Sequence, residues 1–295
     1  MLTTPDVSLD IDGYLKRLGL GPVGAPSVEN LALLHAAHVE NVPFQTLERA
    51  DDVDPYAAAG RIARAGLGGV CYQLNGAFSL LLGALGYRVT LHSAAIESGW
   101  AGGPVSPDDS HNVLLVHDLP TAANPAGTWI LDVGSGEGFH RPLPLVAGTH
   151  RIGNAVYTLR PSDTAGGDWR IDYDPNESCR GVDFTVRTSR WEDFGTPYRT
   201  LADGPMAVFF LYGWVKRHHA DGFDEVIGCQ FTRYRSAVGR EVRTLTSADE
   251  WLAVLDEVFG LPLDGLSRAE RVARWERVHT NWTQQNLRSL IYPES

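Results

Sequence analysis

Cysteine is scarce in this chain. Three occur among 295 residues, Cys71, Cys179 and Cys229. An odd number so widely spaced suits neither a disulfide framework nor a thiolate metal cage, so no metal is expected and the compartment reads as reduced cytosol. Basic charge is also short, with 25 Lys and Arg against 36 Asp and Glu and a net charge of -11. Neutralising phosphates requires a basic field, which argues against a nucleic-acid partner; a polyanionic ligand must find a local basic pocket. Long apolar runs are missing too. The longest, residues 207–215, is far too short to span a bilayer, so no membrane partner is expected. The acidic stretch 1–13 lacks the basic and apolar regions of a secretory signal. With 43% hydrophobic residues and no internal repeat, the expectation is a soluble cytoplasmic protein with one large domain or two to three small ones.

What the chain does have is a glycine-led cysteine. Gly68-Gly69-Val70-Cys71 runs straight into an apolar pattern at helical spacing, Leu74, Phe78, Leu81, Leu82 and Leu85. Cys71 is thereby placed on the first turn of a helix. Unpaired backbone N–H groups and the positive end of the helix dipole stabilise an anion there, which is how a nucleophilic thiolate is seated. The bland alternative is a buried structural cysteine.

Residues 10–84 read as helical around this segment. Asp10 or Asp12 caps a first helix that stops at Gly19, Ser27 caps a second, Pro43 breaks it, and another covers residues 55–65. From Tyr87 the texture turns to strands: residues 87–93, 111–116, 129–133, 157–159, 169–173 and 183–188, consistent with an antiparallel barrel or sandwich. After Tyr198 come a helical or mixed stretch, strands over 226–234 and 241–244, a helix over 247–259 opened by a Ser247–Glu250 capping box, and a last helix over about 267–286.

A nucleophilic cysteine needs a base, and the base needs an orienting acid. His111 opens a strand after the loop 99–110, and Asp132 sits in the next strand, just before Gly134-Ser135-Gly136. Adjacent antiparallel strands can present both over Cys71 in the papain-like order. Singly, a histidine at a strand edge is usually a polar surface residue, and an Asp before glycines is usually a turn former.

With these residues in hand, the chain resembles the arylamine N-acetyltransferases. Gly68-Gly69-Val70-Cys71 with Asn75 looks like the family's nucleophile motif; residues 111–116 resemble its histidine strand and 131–136 its aspartate strand. Leu33-Leu34-His35 to Val39, then Val42-Pro43-Phe44 and Leu47, match its N-terminal signature, while 245–247 and 258–261 match its C-terminal part. The resemblance implies an α+β fold of three domains with a papain/transglutaminase-like Cys-His-Asp core: a helical bundle (1–90) carrying the cysteine, a β-barrel (91–200) carrying His and Asp, and an α/β lid (201–295). It implies ping-pong acyl transfer from a thioester, usually acetyl-CoA, through an acyl-cysteine to an aromatic amine or hydrazine, with no permanently bound cofactor. It further implies a supporting hydrogen bond from Asn75 near Asp132, and Phe44, Ile96, Gly134, Ser135 and Gly136 around the substrate or donor.

The departures are informative. Leu67 and Gln45 stand where the family usually has a pairing Arg and Glu; losing both charges together can be nearly neutral. Ser135 stands where many bacterial members have an aromatic, which hints at a bulkier acyl group or acceptor. The stretch 191–219 matches poorly, and its Lys216-Arg217-His218-His219 run reads as solvated surface rather than a phosphate grip; Arg233, Arg235, Arg240 and Arg243 leave the same choice open. Relatives on this fold act as amide synthases in ansamycin-type pathways, releasing an acyl-carrier-bound polyketide onto its own aryl amine, so that reaction stands as the alternative. A cysteine hydrolase of transglutaminase or papain type is the alternative from another class.

Overall fold

The computed structural model describes residues 9–50, 53–98, 107, 110–204, 207–263 and 265–284. The sequence readings on residues 1–8, on most of the loop 99–110 and on the end of the last helix lie outside them.

Side-chain caps set the helix starts. Asp10 accepts from the Gly13 N–H at 2.8 Å to open α1 (Ile11–Arg17), and Ser27 accepts from the Asn30 N–H at 3.1 Å to open α2 (Val28–Asn41). Pro43 follows α2, and the chain turns through the short strand β1 (Phe44–Gln45) into α3 (Pro55–Ala65) and α4 (Cys71–Ala84). Leu31 and Leu34 of α2 and Leu74, Phe78, Leu81 and Leu82 of α4 form the centre of one core.

The strands β2 (Arg88–Ser98), β3 (His111–His117), β4 (Trp129–Leu131), β5 (Leu143–Pro144), β6 (Gly148–Ile152), β7 (Ala155–Pro161), β8 (Trp169–Asp172) and β9 (Cys179–Ser189) form one antiparallel, barrel-like sheet in the order β5-β4-β3-β2-β9-β8-β7-β6. Two register shifts between β2 and β9 bend it, as bulges do. β3 is buried from His111 to Val116, and its centre is apolar because both of its faces are covered. Leu114 and Val116 face the helical core, while Val113 and Leu115 fill the barrel beside Tyr157, Ile171 and Phe184. The α+β class expected from the sequence is the one seen.

After α5 (Gly195–Asp203) and α6 (Val208–Tyr212), a second antiparallel sheet has the order β1-β10-β11-β12-β13, with β10 (Trp214–His219), β11 (Gly222–Ile227), β12 (Gln230–Arg235) and β13 (Gly239–Thr244). Its edge strand β1 comes from the helical segment, with Phe44 opposite Lys216 and Gln45 opposite Val215. Helices α7 (Ala248–Ala253) and α8 (Arg268–Gln284) cover it over a core of Val226, Phe231, Trp251 and Val278.

Two expectations change here. The strand read over 226–234 is a hairpin of two strands, because the residue after Ile227 is Gly228 at φ +59°, which turns the chain back. The run from Lys216 is not solvated surface but β10 itself. Strand alternation sends Lys216 and His218 inward, to 0% and 7% exposure, where only ion pairing makes a lysine tolerable. The nearby arginines are engaged as well: Arg233 and Arg235 on Asp224, Arg243 on Glu250, and Arg240 over the Phe223 ring.

Candidate active site

The glycines before Cys71 are dictated by backbone approach. A Cβ at Gly68 would lie 1.8 Å from the Pro43 carbonyl oxygen, and Gly69 bridges to Phe44, its own carbonyl accepting from the Gln45 N–H at 3.0 Å. Extended Val70 is the N-cap. Its N–H donates to Gln73 Oε1 at 3.1 Å, so a side chain three residues on ties down the helix start. Cys71 therefore begins α4 as the spacing predicts, 5% exposed, with its sulfur 3.9 Å from the Ser110 carbonyl oxygen.

His111 and Asp132 meet where β3 begins and β4 ends. His111 Nε2 lies 2.6 Å from Asp132 Oδ2, and both side chains are 1% exposed. Burial works against the imidazolium, but the Asp132 charge overrides it and, with a smaller contribution from Cys71, raises His111 to about 10. Burial would raise the Asp132 carboxyl; His111, Asn75 and the Gly134 N–H prevail and hold it below the usual carboxylate range. With Nε2 taken by Asp132, Nδ1 is the ring nitrogen left for sulfur.

Asn75, one turn after Cys71, locks this pair. Its Nδ2 donates to Asp132 Oδ1 at 3.0 Å and to the Asn112 carbonyl at 2.8 Å, while its Oδ1 accepts from the Val133 N–H at 2.9 Å. Gly134 is what lets the strand end come this close. A Cβ there would sit 2.6 Å from both Asn75 Nδ2 and Cys71 Cα. Gly136, at φ +66°, lies against Phe44, whose ring stands edge-on to Trp214 with centroids 5.1 Å apart.

The other sequence-derived positions are placed differently. Ser135 is 6% exposed, and its hydroxyl donates within its own turn to the Glu137 carbonyl. Ile96 lies on β2 against the barrel core, its N–H 3.4 Å from Ser110 Oγ. Gln45 is buried, with Nε2 3.4 Å from the Gly68 carbonyl, beside the position of Leu67.

Sequence reading missed a role for His35. Fully buried on α2, it accepts from the Asp132 N–H at Nε2 (3.3 Å) and donates from Nδ1 to the His140 carbonyl (3.2 Å), which fixes it as the neutral tautomer. Burial lowers it to about 4. The signal was present in the pattern: His35 and His38 continue the buried stripe begun by Leu31 and Leu34.

Comparisons with known proteins bear on the family and the fold. A family model described as N-acetyltransferase matches residues 27–268. The chain is 28% identical to an arylamine N-acetyltransferase / N-hydroxyarylamine O-acetyltransferase of Salmonella typhimurium over 89% of this chain and 94% of that one. It is 27% identical to proansamycin X synthase of Amycolatopsis mediterranei over 84% and 96%. It superposes on an M. smegmatis arylamine N-acetyltransferase with a TM-score of 0.80, at 25% identity, covering 92% of this chain and 99% of that one.

Proposed function

This chain belongs to the arylamine N-acetyltransferase family, and from that premise we infer that Cys71 carries an acyl group from a thioester, acetyl-CoA in the first instance, to the amine of an aromatic acceptor. The observation that carries the reading is the buried 2.6 Å His111–Asp132 pair together with Cys71 at the start of α4, held near it through Asn75. In the first half-reaction the thiolate attacks the thioester carbonyl. The carbon–sulfur bond to the donor breaks, and the departing donor thiolate takes the proton from the His111 imidazolium. In the second half-reaction the amine attacks the acyl-Cys71 carbonyl. The now neutral His111 accepts the amine proton, and Cys71 leaves as the thiolate, restoring the ion pair. Asp132 holds the imidazole tautomer and stabilises its charged form throughout; Asn75 holds Asp132. The Cys71 backbone N–H, on the first helical turn, serves as oxyanion donor.

The similarity to proansamycin X synthase, over 96% of that protein, favours a second reading with the same three residues. Here the donor is a carrier-bound polyketide thioester and the acceptor its own aryl amine, closing a lactam. Intact-mass measurement after incubation with acetyl-CoA, with and without an aryl amine, distinguishes these. An acetyl adduct cleared by amine to give the amide supports acetyl transfer. An enzyme inert to acetyl-CoA yet acylated by a carrier-mimicking long-chain aryl thioester supports lactam formation. Release of free acid without amine, at the rate of acylation, would mean a hydrolase and overturn both.

A further inference from the structure

A cavity of about 250 Å³ lies between the barrel and the second sheet. The barrel lines it with Tyr157, Asp174 and Glu177, and the second sheet with His218, Asp221 and Tyr234. Asn154 spans the two sides by donating to Ser236 Oγ at 2.9 Å. Small-molecule sites favour such junctions, although this one is below the ~300–1,000 Å³ typical of drug-sized ligands. No lysine or arginine lines it among the described residues, so it repels phosphates and is no place for a nucleotide donor.

Two of its lining residues belong to a buried charge cluster that is short of positive charge. Lys216 Nζ, 0% exposed, lies 2.8 Å from Glu137, 3.7 Å from Glu225 and 3.9 Å from Glu177. Three carboxylates thus share one ammonium. Glu137 is further served by the Ser178 hydroxyl and the Cys179 N–H, and Glu225 by Trp214 Nε1 at 3.0 Å. Glu177 is the most weakly served member, its ion pair with Lys216 the longest of the three. Its Oε2 has no hydrogen-bond partner, nor has His218 Nε2, which stands 3.6 Å from Glu177 Oε1; their side chains are 9% and 8% exposed. The cavity's other carboxylates are provided for, Asp174 by the Val156 N–H and Asn176, and Asp221 by Arg235. A buried carboxylate lacking donors costs on the order of several kcal/mol, so a donor bearing positive charge is the missing partner.

We propose that this cavity binds a small organic cation of the ammonium, amidinium or guanidinium class, its N–H groups donating to Glu177 and its charge offsetting the surplus carboxylate. Tyr157 and Tyr234 supply the aromatic walls that such cations favour. The occupant is organic because, among the described residues, no three His, Cys, Asp or Glu side chains converge to hold a metal ion. The inference is independent of the acyl-transfer reading and leaves Cys71 untouched.

Titration calorimetry of the full chain with benzamidine, and with benzoate as the anionic control, tests it. Benzamidine binds in the millimolar range or tighter and benzoate does not. Glu177→Gln, which keeps the shape and removes the charge, weakens benzamidine at least tenfold. Ser236→Arg, which brings a guanidinium to the cavity, does the same and decides the matter if Glu177→Gln fails to fold. Failure of benzamidine to bind the wild type overturns the proposal. So does unchanged affinity in Glu177→Gln, or in Ser236→Arg, since binding would then lie elsewhere.

Discussion

Two buried ion clusters sit in one molecule and are built on opposite rules. At the Asp132 cluster every charge is answered: Oδ2 has His111, and Oδ1 accepts from Asn75 and the Gly134 N–H. At the Lys216 cluster three carboxylates compete for one ammonium, and Glu177 Oε2 accepts nothing. Saturation and deficit do different work. A fully bonded pair has one geometry, which proton transfer to and from a reacting group requires. A deficient cluster makes the fold depend on each cation it has, and leaves room for another.

Breaking the saturated cluster should have the largest effect. His111→Ala and Asp132→Ala should each reduce acylation of Cys71 on the order of a thousandfold or more, and the double variant should cost little beyond either single one, because the residues act as a unit. Stopped-flow acylation rates check this; additive losses would separate the two residues. Gly134→Ala comes next. It leaves every polar group in place but drives a methyl to 2.6 Å from the Cys71 Cα. Displacing the nucleophile by about 1 Å costs on the order of a hundredfold in rate. A near-normal kcat/KM for a folded Gly134→Ala would show that the strand and helix are less tightly locked than their contacts indicate.

The deficient cluster should answer in stability rather than rate. Lys216→Met strips the only ammonium from three carboxylates, and losing one partner of a buried ion pair costs about 3–5 kcal/mol. Urea unfolding measures this. A loss below about 1 kcal/mol would mean that the carboxylates take up protons at little cost and that the charge surplus is not real.

A smaller effect sharpens the contrast through pH. Asp132, once burial is overcome, raises His111 to about 10, so the pair's contribution to folding is complete below about pH 6.5 and is lost as the pH climbs towards about 10. Burial lowers His35 to about 4 and His38 to about 3. Held neutral, they contribute fully above about pH 6.5, and that contribution is lost as the pH falls through 6.5 towards those values. Unfolding free energy against pH should therefore fall on both sides. His111→Gln should flatten the alkaline limb, and His38→Gln the acid limb. An unchanged alkaline limb in His111→Gln would place the imidazolium's stabilisation elsewhere.

The residues of the saturated cluster were legible in the sequence because each is announced locally: glycines before Cys71, a strand opening at His111, glycines after Asp132. Helix starts were legible for the same reason, as caps act within three residues. What escaped depends on distant partners. His35 reads as one more buried position on α2 until β4 delivers the Asp132 N–H to it. Lys216 follows a stretch without clear period and sits in a basic run, so nothing nearby reveals that Glu137 and Glu177 from two loops of the barrel and Glu225 from β11 converge on it. The hairpin at Gly228 is hidden in the sequence because Val226 to Tyr234 is rich in strand-favouring residues and a single glycine at φ +59° makes the turn.

The central claim, that the His111–Asp132 pair makes Cys71 the nucleophile, is tested most directly by timed iodoacetamide labelling near neutral pH with peptide mapping. All three cysteines are buried and free, and burial pushes the Cys229 thiol up to about 12 and the Cys179 thiol well above its ordinary value. Cys71 should alkylate first and essentially alone, and His111→Ala should slow it towards the rate of an ordinary buried thiol. Labelling of Cys179 or Cys229 ahead of Cys71, or a Cys71 rate indifferent to His111→Ala, would contradict the account.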